Sequence, residues 1–377
     1  MLFRSLNRVG IDSATRLDLA SQGFQPDSVP GDGVQVLVQR NGNVCFDCTA
    51  LVHPDTVRQA VLAARVVGLD IAGIDLVAED ISQPLEAQGG AIVEVNAGPG
   101  LSTHLRPPGL PPTPVPEMII EHLFGASDDG RIPVIGIAGT HGTRLASRVV
   151  AHLLQISGQK VGLACRDGLF LGTRCIDHRD SANFVAGQRL LLNRSIDSAV
   201  IENGLDVLLD QGLAYDWCQV GVVTRMHPEC LVPERYIDSV DQLYKVFRTQ
   251  VDIVLEGRGI TVLNADDEQL VEMASLSKGA VMYFSANPGA SVLAGHAASG
   301  GRSVVLNQGV ILLREGDREV AQLRAGTLEL RIEGDPRSAD DGLLAAIAAA
   351  WASGITAEHI QAGLETLEPV PLARTPA

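Results

Sequence analysis

The segment from Arg131 to Arg144, Arg-Ile-Pro-Val-Ile-Gly-Ile-Ala-Gly-Thr-His-Gly-Thr-Arg, holds residue types that bind phosphate. Gly136, Gly139 and Gly142 recur at three-residue spacing between an apolar run, Ile132 to Ile137, and a helix-like stretch, Arg144 to Ile156. A buried strand, a glycine-rich turn and a helix N-terminus together form an anion cradle, because glycines let backbone N–H groups approach phosphate oxygens. Gly136, Gly139, Thr140 and Gly142 are therefore the candidate nucleotide-binding residues of this segment. A loop of this kind that works on a nucleoside triphosphate normally carries Lys directly after the last glycine and Ser or Thr after that. Those positions hold Thr143 and Arg144, so the frame is present without its lysine. Arg144 could return the charge from one position on, but its side chain starts from another face of the helix.

A second constellation comes earlier. Gly73-Ile-Asp75 lies in one apolar stretch, and Ile92-Val-Glu-Val-Asn96 lies in another, followed by Ala97-Gly-Pro-Gly100. Glu94 and Asn96 are two apart in a strand, so their side chains share a face. A carboxylate in so apolar a strand is costly unless paired or bound to metal. Acidic and amide oxygens on one face suit Mg²⁺, which prefers oxygen ligands and leans on substrate phosphates. A surface edge strand with a polar face fits the same pattern.

These residues must be carried by two kinds of structure. Up to about residue 125 the pattern is mixed. Asp12–Gln22 reads as a helix, Val34–Gln39 and Val44–Thr49 as short strands, and Asp70–Ala78 and Ala91–Val95 as buried strands. Pro54–Val67 reads as an amphipathic helix with Val57, Val61, Ala64 and Val67 on one face. Arg106–Pro116 is too rich in proline for regular structure, and leads into a helix ending near Phe124. The stretch 125–130, Gly-Ala-Ser-Asp-Asp-Gly, marks a domain boundary. From 131 onward, strands at 132–138, 160–164, 197–201, 219–223, 259–263 and 280–284 alternate with helical patterns, which predicts a doubly wound, mostly parallel sheet. Short strands at Ser303–Leu306, Val310–Leu313 and Thr327–Ile332 read as an antiparallel appendage, and helices at about 340–352 and 356–366 close the fold.

The composition narrows the function. The chain has 377 residues, enough for two or three domains, and a net charge of −16 without a basic stripe, which argues against nucleic acid or an anionic membrane surface as partner. No run of eighteen uncharged apolar residues occurs, nor the apolar stretch of a signal peptide, so the expected location is cytoplasmic. Six cysteines, at 45, 48, 165, 175, 218 and 230, read as reduced and mostly buried thiols.

Asp75 with Glu94-Val-Asn96-Ala-Gly-Pro-Gly resembles the metal-binding end of an ATP-grasp ligase. The stretches His53-Pro-Asp55, Val66 to Asp75 and Gly89 to Asn96, then a proline-rich link and the opening Arg131 to Gly142 of a Mur-ligase-like module, resemble the cyanophycin synthetase family from about Ser5 to Leu367. The resemblance implies an α/β chain made of a partial ATP-grasp C-terminal subdomain over 1–125 and a Mur-ligase-type central domain over 131–377. It implies ATP and Mg²⁺ as cofactors, with Asp75, Glu94, Asn96 and Glu202 as metal ligands and Asn264 and Asp267 near the adenine. It also implies amide bonds made through acyl phosphates, with aspartate and arginine, or an aspartyl-arginine dipeptide, added to a cyanophycin-like polymer.

The chain departs from the family pattern in ways that bear on activity. It begins inside the ATP-grasp module, and it stops at Thr375-Pro-Ala377, where the third Mur lobe would follow. Thr143 replaces the loop lysine, Asn203-Gly-Leu205 stands where Arg-Gly-Gly follows the metal-binding Glu, and Glu229-Cys230 replaces an Asp-His pair. Phe247 or Arg248 replaces a lysine that many Mur ligases carbamylate. The expectation is an incomplete ligase, inactive as an isolated chain, working as a homo-oligomer or with a partner chain that supplies the missing ATP-grasp half. The alternative is a non-catalytic structural or oligomerisation subunit. Asn264 with Asp266-Asp267 also fits a simple turn and helix cap, and His227 beside Glu229 and Cys230 a solvated turn.

Overall fold

Strands whose residues are apolar without alternation must be covered on both faces, and this requirement organises most of the molecule. The computed structural model describes residues 11–38, 48–105, 113–124, 130–324 and 336–367. The chain divides into two units, Met1–Gly130 and Arg131–Ala377.

In the first unit, α1 (Ser13–Ser21) is capped by Asp12, whose carboxylate accepts the Thr15 N–H at 2.8 Å. Helix α2 (Pro54–Val67) starts with proline, where the missing N–H costs nothing, and ends at Gly68 in a left-handed conformation. Strands β1 (Gly73–Val77) and β2 (Ala91–Asn96) form a two-stranded antiparallel sheet, followed by α3 (Ser102–Leu105) and α4 (Val115–Phe124).

Several expectations fail here. β1 and β2 are paired but not buried: Val77 and Val93 are 64% and 67% exposed. A two-stranded ribbon offers too little surface to be covered on both faces. The apolar face of α2 is uncovered too, with Val57, Val61 and Val67 exposed. Among the described residues of this unit, only Leu19 and Leu85 are buried large hydrophobics. Residues 34–38 form no strand, Thr49–Leu51 is a 3₁₀ turn, and residues 39–47 lie outside the described residues. Helix α4 begins at Val115 and takes Pro116 into its first turn, where proline is tolerated.

The second unit contains β3 (Val134–Ala138), α5 (Thr143–Ile156), β4 (Val161–Cys165), β5 (Gly168–Leu171), β6 (Arg174–Asp177), α6 (Phe184–Leu191), β7 (Ser198–Asn203), α7 (Leu205–Asp210) and β8 (Val220–Val223). It continues with α8 (Val240–Asp252), β9 (Ile260–Asn264), α9 (Glu268–Met273), β10 (Ala280–Ser285), α10 (Ser291–Ala298), β11 (Arg302–Asn307), β12 (Val310–Glu315), β13 (Arg318–Arg324), α11 (Pro336–Ala352) and α12 (Ala357–Thr366). These strands, those of the described residues, join one 11-stranded sheet in the order β13-β12-β11-β10-β9-β8-β3-β7-β4-β5-β6. The run from β4 to β11 in that order is parallel, with antiparallel pairs at both edges. This is the α/β class, doubly wound and mostly parallel, that the alternating pattern predicts.

The appendage expected after residue 302 is not separate: β11 pairs parallel with β10, and β12 and β13 extend the same sheet. The third strand is Arg318–Arg324, while 327–332 lies outside the described residues. The cysteines divide more evenly than expected. Burial pushes the Cys165 and Cys218 thiols up to about 12, Cys175 and Cys230 are half-buried, Cys48 is exposed, and Cys45 lies outside the described residues.

Helix α11 runs through the core against α5, and Ala345 to Ala350 are fully buried. Side chains this small let two helices approach closely. From β3 the chain crosses to β4 on one side, and from β8 to β9 on the other. The carboxyl ends of β3 and β8 thus flank the crevice where doubly wound sheets bind ligands.

Candidate functional site

The glycine-rich turn lies at the carboxyl end of β3, packed against Thr224 and α11, with Thr140, His141 and Gly142 half-buried. Gly139 and Gly142 adopt φ +140° and +77°, which only glycine takes easily. A methyl group at Gly139 would overlap the Thr224 hydroxyl, and one at Gly142 would lie 3.0 Å from Gly342 N and Ser338 O of α11. Thr140 is tied to the segment after β8: its N–H donates to Arg225 O at 2.9 Å, its hydroxyl to the same oxygen at 3.1 Å, and it accepts the His227 N–H at 3.1 Å. Gly136 lies within β3, packed against Tyr215 and Gln250, and so belongs to the core rather than to the turn.

Thr143, in the lysine position, turns inward. Its hydroxyl donates to Glu202 Oε1 at 2.8 Å, and Arg166 N–H donates to Glu202 Oε2 at 2.9 Å. Glu202 is 1% exposed. Burial raises its carboxyl above the ordinary range, partly offset by the Arg166 N–H, the Arg166 guanidinium and the Thr143 hydroxyl. Arg144 does not replace the missing lysine. It forms an ion pair with Asp167, both side chains 11% exposed. The space lined by Thr140, His141, Gly142, Thr143, Arg166 and Ser338 measures about 10 Å³. That is room for about one water molecule. Arg166, with its side chain half-exposed, lines this space, and the buried carboxyl of Glu202 lies behind it.

Asn264 and Asp267 are brought to the neighbouring strand end, where both serve the fold. Asn264 is fully buried, and its Nδ2 donates to Thr224 O at 3.0 Å and to Asp341 Oδ1 at 3.1 Å. Asp267 caps α9, accepting Gln269 N–H at 3.2 Å and Leu270 N–H at 3.4 Å, and accepts the Met226 N–H at 2.9 Å. The turn-and-cap alternative describes this geometry. Asp341 also pairs with Arg225 through two nitrogens, Nη2 to Oδ1 at 3.0 Å and Nε to Oδ2. Asp341, Arg225 and Asp167 escaped the sequence reading. Only charged residues in buried positions mark them, which a sequence of this length does not single out.

His227 accepts the Glu229 N–H through Nδ1 at 3.3 Å and caps a 3₁₀ turn. Phe247 is core, and Arg248 pairs with Asp252 at 3.0 Å.

In the first unit Asp75 is the cross-strand partner of Glu94, and Asn96 is the partner of Gly73, so the three side chains share one face of the ribbon. Asn96 Nδ2 donates to Asp75 Oδ2 at 3.3 Å. Asp75 and Glu94 are exposed. The oxygen donors suit Mg²⁺ in kind, and Glu202, the metal-binding residue expected of the Mur-like module, lies in the second unit. Among the described residues no group of three or more His, Cys, Asp or Glu could hold a metal ion. Among them too, no helix is long and apolar enough to cross a membrane.

No family model matches the chain. Over 366 residues it is 33% identical to the cyanophycin synthetase of Synechocystis sp., a match that covers 96% of this chain and 41% of that protein. The chain is a relative of the cyanophycin synthetases. The cyanophycin synthetase of Geminocystis herdmanii is 32% identical over 369 residues, covering 97% of this chain and 42% of that one. The chain thus spans about two fifths of the length of the cyanophycin synthetases it matches. Among solved structures, a UDP-N-acetylmuramoyl-L-alanyl-D-glutamate–2,6-diaminopimelate ligase is similar at 15% identity and a TM-score of 0.48, covering 68% of this chain and 50% of that one.

Proposed function

We propose that the chain is part of an ATP-dependent amide ligase of the cyanophycin synthetase kind, with part of an ATP-grasp module over 1–125 and a Mur-ligase-type module over 131–377. The observation that carries this reading is the 33% identity over 96% of the chain. ATP would supply a phosphoryl group that turns a peptide carboxylate into an acyl phosphate, from which an amine displaces phosphate to form the amide. Asp75 and Glu94 would hold Mg²⁺ against the nucleotide phosphates, with Asn96 as neutral oxygen ligand. The substrates would be aspartate and arginine, or their dipeptide, and a cyanophycin-like polymer, in the cytoplasm. The rest of the nucleotide pocket would come from the part of the relatives that this chain does not span, whether in the same polypeptide or a partner chain. The closed turn of the second unit favours a ligase whose chemistry runs in the first module only.

The same closed turn also favours a second reading, a non-catalytic structural or oligomerisation subunit. One experiment separates the two. The chain is co-expressed with the about three fifths of the Synechocystis relative that it does not match. ADP release and polymer lengthening are then measured with aspartyl-arginine and a primer, at a temperature where every variant is folded. The ligase reading expects turnover that Glu94→Ala and Asn96→Ala abolish and Glu202→Ala retains. Absence of ADP release in the complex contradicts it and supports the structural subunit. A need for Glu202 with Glu94 dispensable would move the working site to the second unit.

A further inference from the structure

We infer that the glycine-rich turn of the second unit has become a structural pin, in which groups placed to face phosphates and a metal ion instead fasten separate segments of the fold together. This does not depend on which polymer, if any, the first unit helps to build.

Four fastenings meet within the turn and the first residues of α5. Thr143 joins α5 to β7 through Glu202, and the same carboxyl takes the Arg166 N–H from the turn after β4. Arg144 joins α5 to that β4–β5 turn through Asp167. Thr140 and His141 join the turn to the segment after β8, through Arg225 O and through the Thr224 hydroxyl, which donates to His141 O at 2.6 Å. The fourth is α11. A methyl group on Gly342 would stand 2.8 Å from Gly142 O and 3.1 Å from Leu145 Cβ, so the helix lies against the turn with no side chain between. The residue before it, Asp341, reaches Arg225 and Asn264 and ties the helix to the ends of β8 and β9.

The electrostatics agree. A nucleotide site concentrates positive charge, whereas Arg144 and Arg225 are each matched here by a carboxylate, and Glu202 lies behind the turn. The positions of a phosphate cradle are kept while its groups bind one another.

A double-mutant cycle on the full chain tests the pin. Thr143→Val, Glu202→Ala and both together are compared by thermal unfolding. Removing one partner of a buried hydrogen bond strands the other, so each single change should lower the midpoint by roughly 2–8 °C. The double variant should lose clearly less than the two losses added. Additive losses, or an unchanged midpoint in Thr143→Val, would overturn the inference. Should Glu202→Ala fail to fold, that failure supports the pin, and Thr143→Val alone then decides.

Discussion

Asp341 of α11 and Arg225 beyond β8 meet in a two-nitrogen ion pair, 116 residues apart in sequence, with Asp341 1% exposed and Asn264 donating to the same carboxylate. Burial raises the Asp341 carboxyl, and Arg225 and Asn264 offset part of that rise. Asp341→Ala would leave a half-buried guanidinium and a buried amide without their acceptor. Breaking a buried pair from one side costs about 3 kcal/mol or more. The melting point should fall by roughly 6–12 °C. A fall of under about 2 °C would show that the pair is not fastening α11.

Gly136→Ala tests the layer beneath the turn. The hydrogen on Gly136 leaves room for a buried polar set: Asn203 Nδ2 donates to Tyr215 Oη at 2.7 Å and to Gln250 Oε1 at 2.9 Å, and Tyr215 Oη donates to Gln250 Oε1 at 2.9 Å. A methyl group would overlap the Tyr215 hydroxyl and lie 2.5 Å from Gln250 Nε2. Overpacking of this kind costs about 1–3 kcal/mol, more where polar groups lose partners. Urea unfolding should show an earlier midpoint with an unchanged slope; an unchanged midpoint would mean that the strands separate without cost.

Glu202 should make stability pH-dependent. Its folded carboxyl is raised above the ordinary 4.5, so above that pH the folded state holds the proton more tightly than the unfolded state. Stability from this group is therefore fully present below 4.5 and declines as the pH rises through the raised value. Glu202→Gln removes the titration. The difference in melting point, Gln minus Glu, should move in favour of Gln as the pH rises from 4.5 upward. A constant difference across that range would show that the carboxyl is not raised.

What could be read from the sequence follows the physical signal each element carries. β3, β4 and β8 are unbroken apolar runs with every residue buried, and they fall where the pattern puts them. The β5–β6 hairpin went unread because its strands are short and Arg174-Cys-Ile-Asp177 alternates like a surface loop. β13 is an edge strand in which only Leu323 is buried, so its charges hid it. The reverse error occurred at β1 and β2, where apolar residues suggest a core that the described residues do not form. The turn was legible as a cradle from its glycines. Its closure was not, because Thr143 and Glu202 are 59 residues apart and Gly342 signals nothing until α11 lies against Gly142.

The first unit makes a separate prediction. Asp75 and Glu94 stand opposite each other on an exposed ribbon, and like charges so placed destabilise the pair. Mg²⁺ keeps most of its water and leans on phosphates, so the chain alone should bind it with Kd on the order of 1 mM or weaker. Amide NMR shifts during a Mg²⁺ titration should confine any response to 73–77 and 91–96. Micromolar binding would mean that the three side chains already form a complete site.

The most direct test of a closed turn is calorimetric titration of the full chain with ATP in excess Mg²⁺. With about 10 Å³ in the turn and Glu202 bound to Thr143, no saturable heat should appear below the millimolar range. Saturable binding at micromolar ATP that disappears in Glu202→Ala would contradict the account, since it would require the turn to open and take the phosphates that its residues now exclude.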